Sequence, residues 1–199
     1  MIELKNLSFS YGEKSVLKEL NHTFPDKGIF AVMGGSGEGK TTLLRLLCGL
    51  EKPQSGEIES TYKKISVAFQ EPRLLPWMTA ENNLNFVLPK EKAASKTAQE
   101  LLRDFELEAC AEMLPHELSG GMKQRLSLAR ALAMEADLLL LDEPFSALDA
   151  ALKARVAPLV KNANKEGLTI VITHDKRDAA LLGAKVLTLK SDTISFLEE

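Results

Sequence analysis

Gly34-Gly35-Ser36-Gly37-Glu38-Gly39-Lys40-Thr41 lies between the apolar run Ile29-Phe30-Ala31-Val32-Met33 and the segment Thr42-Leu43-Leu44-Arg45-Leu46-Leu47. The first flank has the length of a strand and the second reads as a helix, so the order is strand, glycine-rich turn, helix. The glycines let the backbone curl until successive N–H groups point at one anion, and the positive end of the helix dipole faces the same place. The spacing is that of a P-loop, which binds a nucleoside triphosphate. It assigns Lys40 to the β- and γ-phosphates and the Thr41 hydroxyl to Mg²⁺. The plainer alternative is a glycine-rich connection with an exposed lysine.

The chain has 199 residues, 45% hydrophobic and 27% charged. That is enough to bury about 70% of the unfolded surface in one compact unit. A formal charge of −3 gives no electrostatic footprint for nucleic acid or for an anionic membrane surface. No run approaches the roughly 18 apolar residues of a membrane-spanning helix, and Met1-Ile2-Glu3-Leu4-Lys5 lacks the apolar core of a signal peptide. The expectation is a cytosolic chain unless a partner holds it at a membrane. Cys48 and Cys110 lack metal-ligand spacing and read as small buried hydrophobes.

Residues 2–9, 15–24 and 56–69 have β-rich, partly alternating patterns, broken by Tyr11-Gly12, Pro25-Asp26-Lys27-Gly28 and Pro53-Gln54-Ser55-Gly56. They predict a mostly antiparallel layer near the N-terminus. Leu138 to Leu141 and Leu168-Thr169-Ile170-Val171-Ile172 are apolar without alternation, which predicts parallel strands covered by helices on both faces. Ala94, Ala98, Leu101, Leu102 and Phe105 fall at helical spacing. They predict a small helical subdomain over about 73–117, inserted in an α/β core of 1–72 and 118–199. Little sequence follows Lys185-Val186-Leu187-Thr188-Leu189, so no regulatory C-terminal domain is expected.

Leu118-Ser119-Gly120-Gly121-Met122-Lys123-Gln124-Arg125 precedes Leu126-Ser127-Leu128-Ala129-Arg130-Ala131-Leu132, and Asp137-Leu138-Leu139-Leu140-Leu141-Asp142-Glu143-Pro144 follows. With Tyr11, Gln70, Ser146-Ala147-Leu148-Asp149 and His174, these stretches resemble the ATP-binding cassette (ABC) ATPases along essentially the whole length. The resemblance implies a P-loop NTPase, RecA-like core that binds ATP and Mg²⁺ and hydrolyses ATP.

The apolar run before Asp142 places its carboxylate at a strand tip, where it can hold Mg²⁺ through water. The resemblance makes Glu143 the general base and His174 the switch histidine at the γ-phosphate. It makes Gln70 a sensor of Mg²⁺ and water, so that the catalytic set is Glu143, His174, Gln70 and Lys40. The metal set is Thr41, Gln70 and Asp142. Nucleotide contacts fall to Tyr11 by stacking on adenine, to Gly34, Gly35, Ser36, Gly37, Glu38, Gly39, Lys40, Thr41 and Thr42, and to Ser119, Gly120 and Gly121. The last three are carried over as contacts to ATP bound on a second copy of the chain. They also read simply as a helix start with Ser119 as its N-cap. The family usually has Gln where this chain has Met122. Asp149 is carried over as a residue that communicates across the dimer, or reads as a helix cap.

Phe69-Gln70-Glu71-Pro72-Arg73-Leu74-Leu75-Pro76-Trp77-Met78-Thr79 is similar to a segment in ATPase subunits of nitrate, sulfonate and taurine importers. Leu74, Leu75, Trp77 and Met78 form an apolar cluster that needs cover, either within the helical subdomain or, as the resemblance implies, from a cytoplasmic helix of the transmembrane permease subunit. The implied partners are a second copy, a permease and, indirectly, an extracytoplasmic solute-binding protein, with no nucleic acid. The implied place is the cytoplasmic face of the membrane. The competing readings are a non-transport ABC clamp and an exporter subunit.

Overall fold

The computed structural model describes residues 1–89, 96–190 and 192–196. In chain order it runs β1 (Ile2–Tyr11), β2 (Lys14–Phe24), β3 (Gly28–Met33), α1 (Lys40–Leu47), β4 (Ser55–Ser60) and β5 (Ile65–Ala68). There follow α2 (Ala80–Asn85), α3 (Ala98–Asp104), α4 (Gly120–Ala133), β6 (Leu138–Asp142) and α5 (Ala150–Ala163). Last come β7 (Leu168–Ile172), α6 (Lys176–Leu182), β8 (Lys185–Leu189) and β9 (Ile194–Phe196).

The strands form two sheets. One is antiparallel, in the order β2-β1-β4, and the other runs β5-β6-β7-β3-β8-β9, parallel except for β9. This is the α/β P-loop core with an N-terminal antiparallel layer that the sequence predicts. Two expectations need correction. The stretch 56–69 is not one antiparallel segment: it splits at 61–64, β4 pairs with β1, and β5 joins the parallel sheet beside β6. Alternation describes a half-buried strand in either sheet, so it cannot tell which one a strand joins.

The second correction concerns what covers the parallel sheet. Strands β6 and β7 are buried on both faces as expected, but the two covers differ. Leu139, Leu141 and Val171 pack with apolar residues of α4 and α5. On the opposite face, Leu138, Leu140, Leu168, Ile170 and Ile172 pack with α1 and with β1 and β2 residues such as Leu4, Leu17 and Phe24. An unbroken apolar run reports two dry faces and says nothing about what dries them.

Register is the feature that builds the site. Val32 pairs with Ile172 across the β3/β7 ladder, and Ile172 pairs with Asp142 across the β7/β6 ladder. Three adjacent strands therefore end at one level, where ligands of open parallel sheets bind.

Within the predicted helical segment, α3 begins at a capping box. Thr97 Oγ1 accepts from Glu100 N–H, and the Glu100 carboxylate accepts from Thr97 N–H at 2.7 Å. Ala98, Leu101, Leu102 and Phe105 are buried as their spacing requires, in one apolar cluster with α2 and α4 residues. Ala94 lies outside the described residues.

The loop 73–79 is organised by Asn83, which is fully buried. Its Oδ1 accepts from Leu75 N–H at 2.9 Å and from Arg130 at 3.2 Å, while Nδ2 donates to the carbonyls of Leu75, Met78 and Thr79. One amide thus satisfies a turn that Pro76, and Pro72 just before it, keep out of regular structure. The apolar cluster expected here divides: Leu74 packs onto the core and Trp77 stands 71% exposed. Asn83→Ala leaves these backbone groups and Arg130 without their partner, and is expected to lower stability by about 2 kcal/mol. A urea midpoint equal to that of the parent would contradict this role.

Candidate active site

The loop between β3 and α1 curls as the glycine spacing predicts. Gly39 has φ +90° and caps α1, and a Cβ there would press on the side chains of Val16 and Leu17 at 2.8 and 2.9 Å. The loop is thus seated directly on β2, and only glycine allows both the approach and the backbone angle. Lys40 Nζ donates to the carbonyls of Gly34 at 2.9 Å and Gly35 at 2.7 Å, so the ammonium is held over the loop by the loop itself.

At the tip of β6, Asp142 is buried and accepts a hydrogen bond from Thr41 Oγ1 at 2.8 Å. Burial pushes its carboxyl above the usual range, and the Thr41 bond and the nearby Lys40 pull it back. A hydroxyl and a carboxylate already in contact at the mouth of the loop are hard oxygen donors. They suit Mg²⁺, which is commonly bound by one or two protein oxygens together with substrate phosphates.

Glu143 has φ +50°, the left-handed region that glutamate seldom occupies. Three contacts hold it there. Its N–H donates to Ile172 O at 2.9 Å, its carbonyl accepts from Ser146 Oγ at 2.9 Å, and its Oε1 lies 2.9 Å from His174 Nδ1. His174 follows Thr173 at the end of β7 and is exposed. The Glu143 hydrogen bond and charge raise its pKa above the ordinary 6.5. Beside it, the Arg177 side chain holds Asp175 down at about 2, and Asp175 caps α6.

Tyr11, Gln70, Asp142, Glu143 and His174 line one cleft of about 510 Å³ with the P-loop. Tyr11 meets Phe9 edge-on at 4.9 Å and accepts from Arg45 at 3.3 Å, leaving it 43% exposed at the cleft. Gln70 follows β5, and its carbonyl accepts from Gln124 Nε2 of α4 at 3.3 Å.

Other expected residues lie elsewhere. Ser119, Gly120 and Gly121 do not line this cleft; Ser119 caps α4, its Oγ accepting from Met122 N–H at 3.3 Å, and it is exposed. Asp149 caps α5 by accepting from Leu152 N–H at 2.8 Å. The Glu38 side chain and Gly35 are also absent from the lining, because that carboxylate turns back onto Gly35 N–H. Four residues that the sequence reading left unassigned do line it: Lys14, Val16, Ser146 and Ile172. Lys14 is the hairpin partner of Tyr11, so the Tyr11-Gly12 turn carried a signal for it.

A family model described as "ABC transporter" matches residues 17–146. The chain belongs to this ABC family. This ABC chain is 42% identical over 198 residues to an aliphatic sulfonates import ATP-binding protein of Corynebacterium glutamicum, covering 96% of the chain and 81% of that protein. It is 37% identical over 209 residues to a probable sulfate/thiosulfate import ATP-binding protein of Chlorella vulgaris, covering 97% and 89%. Among solved structures it is similar to a dimeric ATP-binding cassette in a post-hydrolysis state bound to ADP and Pi. That match has a TM-score of 0.82 and 30% identity over the full length of both chains.

The Glu143–His174 contact gives this ABC chain a pH-dependent element. His174 gains a partner on folding, so the pairing is fully present below the unfolded value of 6.5 and is lost as pH rises through the raised folded value. An NMR titration of the nucleotide-free chain should place the His174 midpoint above 6.5, and Glu143→Gln should return it toward 6.5. A parental midpoint at or below the ordinary value would contradict the contact.

Proposed function

We propose that this chain is the ATP-hydrolysing subunit of an importer for a small solute of the sulfonate, nitrate or taurine kind. The observation that carries the reading is the Asp142-Glu143 pair, set at the tip of β6 beside the P-loop with Glu143 fastened to His174. Glu143 takes a proton from the water that attacks the γ-phosphorus, the bond to the bridging oxygen breaks, and ADP and phosphate leave. Lys40 meets the β- and γ-phosphates, Tyr11 stacks on the base, and His174 orients Glu143 and reaches the γ-phosphate. Thr41, Asp142 and Gln70 would hold Mg²⁺, which when bound offsets phosphate charge.

Glu143→Gln is expected to bind ATP yet hydrolyse it about 10² to 10⁴ times more slowly, the range for removing a general base. A phosphate-release assay at the parental rate would falsify the assignment.

Two partners complete the reading. The exposed start of α4, with Ser119, Gly120 and Gly121, is free to meet ATP held by a second copy. The second partner is a permease. On this reading the permease is a separate chain that holds this one at the cytoplasmic face, and among the described residues no helix is long and apolar enough to cross a membrane. An extracytoplasmic binding protein then delivers the solute. The lobe 73–117 carries the docking surface. A groove of about 270 Å³ is lined by Leu75, Phe86, Arg73 and Arg130, with Phe86 61% exposed and Trp77 beside the groove's loop. Both rings are exposed apolar area of the kind that anchors a helix laid in a groove.

Phe86→Ala and Trp77→Ala should each release a co-purifying permease while ATP affinity, measured by calorimetry, stays parental. Full solute uptake with normal assembly in both variants would place the docking surface elsewhere.

A further inference from the structure

We propose that Glu38 is a positioning residue that aims Lys40 through the peptide unit joining Gly34 and Gly35. The proposal rests on the reading of Lys40 as the side chain that meets the β- and γ-phosphates. An acid in an anion-binding loop repels the anion if its side chain faces the site. Here the side chain is half-buried, stays out of the cleft and accepts a hydrogen bond from Gly35 N–H. The Glu38 N–H in turn donates to Gly35 O at 3.4 Å.

The same peptide unit is held from its other side. Gly34 O accepts from Lys40 Nζ at 2.9 Å, and the next carbonyl, Gly35 O, accepts from the same ammonium at 2.7 Å. A planar peptide makes these grips one constraint: turning the plane to free the N–H from Glu38 also swings Gly34 O away from Lys40. An anionic acceptor on the N–H also polarises the amide, which strengthens the carbonyl as an acceptor for the cation. Gly34 permits the arrangement. Its φ is +154°, and a Cβ there would collide with both the Glu38 carboxylate and the Leu189 carbonyl oxygen. The row carboxylate, peptide, ammonium thus fixes where the Lys40 charge stands before any nucleotide arrives.

The test uses the full chain and two nucleotides. AMP lacks the phosphates that Lys40 meets, so a loss specific to Lys40 aiming falls on ATP alone. Glu38→Ala is expected to weaken ATP about tenfold in a calorimetric titration, the loss for one charge-assisted hydrogen bond, and to leave AMP binding by NMR titration unchanged. Glu38→Gln keeps an acceptor oxygen and is expected to recover most of the ATP affinity. If the alanine variant loses its cooperative melt, Glu38→Ser takes its place. Parental ATP affinity without the carboxylate, equal losses for ATP and AMP, or a glutamine variant as weak as the alanine one would each overturn the proposal. Lys40→Ala is measured alongside. Parental ATP affinity in that variant removes the reading of Lys40 itself, whatever the Glu38 variants do.

Discussion

The parallel pairing of β3, β7 and β6 sets Val32, Ile172 and Asp142 in one row, and the chemistry of the cleft hangs from it. Just beyond Val32 the chain enters the P-loop, beyond Ile172 it reaches His174, and beyond Asp142 it reaches Glu143. The row is kept in register by burial on both faces. Side chains alternate along a strand, so a slip of one residue in β6 would exchange Leu138 and Leu140 with Leu139 and Leu141 between two differently shaped covers. It would also carry Asp142 away from Thr41. The core packing and the 2.8 Å Thr41–Asp142 contact are therefore two consequences of one alignment.

Glu143 shows how the alignment is converted into a reactive geometry. Holding a non-glycine residue in the left-handed region costs about 1 to 3 kcal/mol. The cost is offset by groups that the row itself supplies: the Ile172 carbonyl at the tip of β7, Ser146 three residues on, and His174 two residues past Ile172. Without the bend, an extended Glu143 would continue the strand direction and lose both carbonyl and imidazole contacts. The strain sits at the residue assigned to the proton transfer, and its restraints come from two neighbouring strand ends.

What the sequence revealed and what it concealed divide along range. The P-loop, the Asp142-Glu143 pair and the start of α4 were legible because each depends on a few consecutive residues: glycines that curl, an apolar run that ends in acids, a serine that caps. The Thr97 capping box and the burial of Leu101, Leu102 and Phe105 are local in the same sense. The split of 56–69 between two sheets was hidden, since strand choice depends on partners far along the chain. So was the exposure of Phe86, which stands at the C-cap of α2 beside the groove. The turning-back of Glu38 was concealed for a different reason. A loop motif specifies backbone direction and leaves the side chain at its variable position open, and here that side chain turns back to accept from Gly35 N–H.

The placement of α4 connects features that otherwise seem scattered. Its 14 residues span about 21 Å at the usual helical rise. At one end Ser119 and Gly120 are exposed and Gly121 is half-buried, all three outside the cleft lining. One turn in, Gln124 donates to the Gln70 carbonyl at the cleft edge. Near the other end Arg130 donates to Asn83 and to the Arg73 carbonyl, which shape the groove. A packed helix does not bend easily between such contacts, since its buried face is fixed by Leu126, Leu128, Ala129 and Leu132. Under the proposed reading, a second copy engaging the exposed end therefore acts on the same rigid body that frames the groove, and Gln70 touches that body midway. On that reading nucleotide, second copy and docking groove are linked through α4, because Gln124 and Arg130 bond the helix to Gln70 and to the groove.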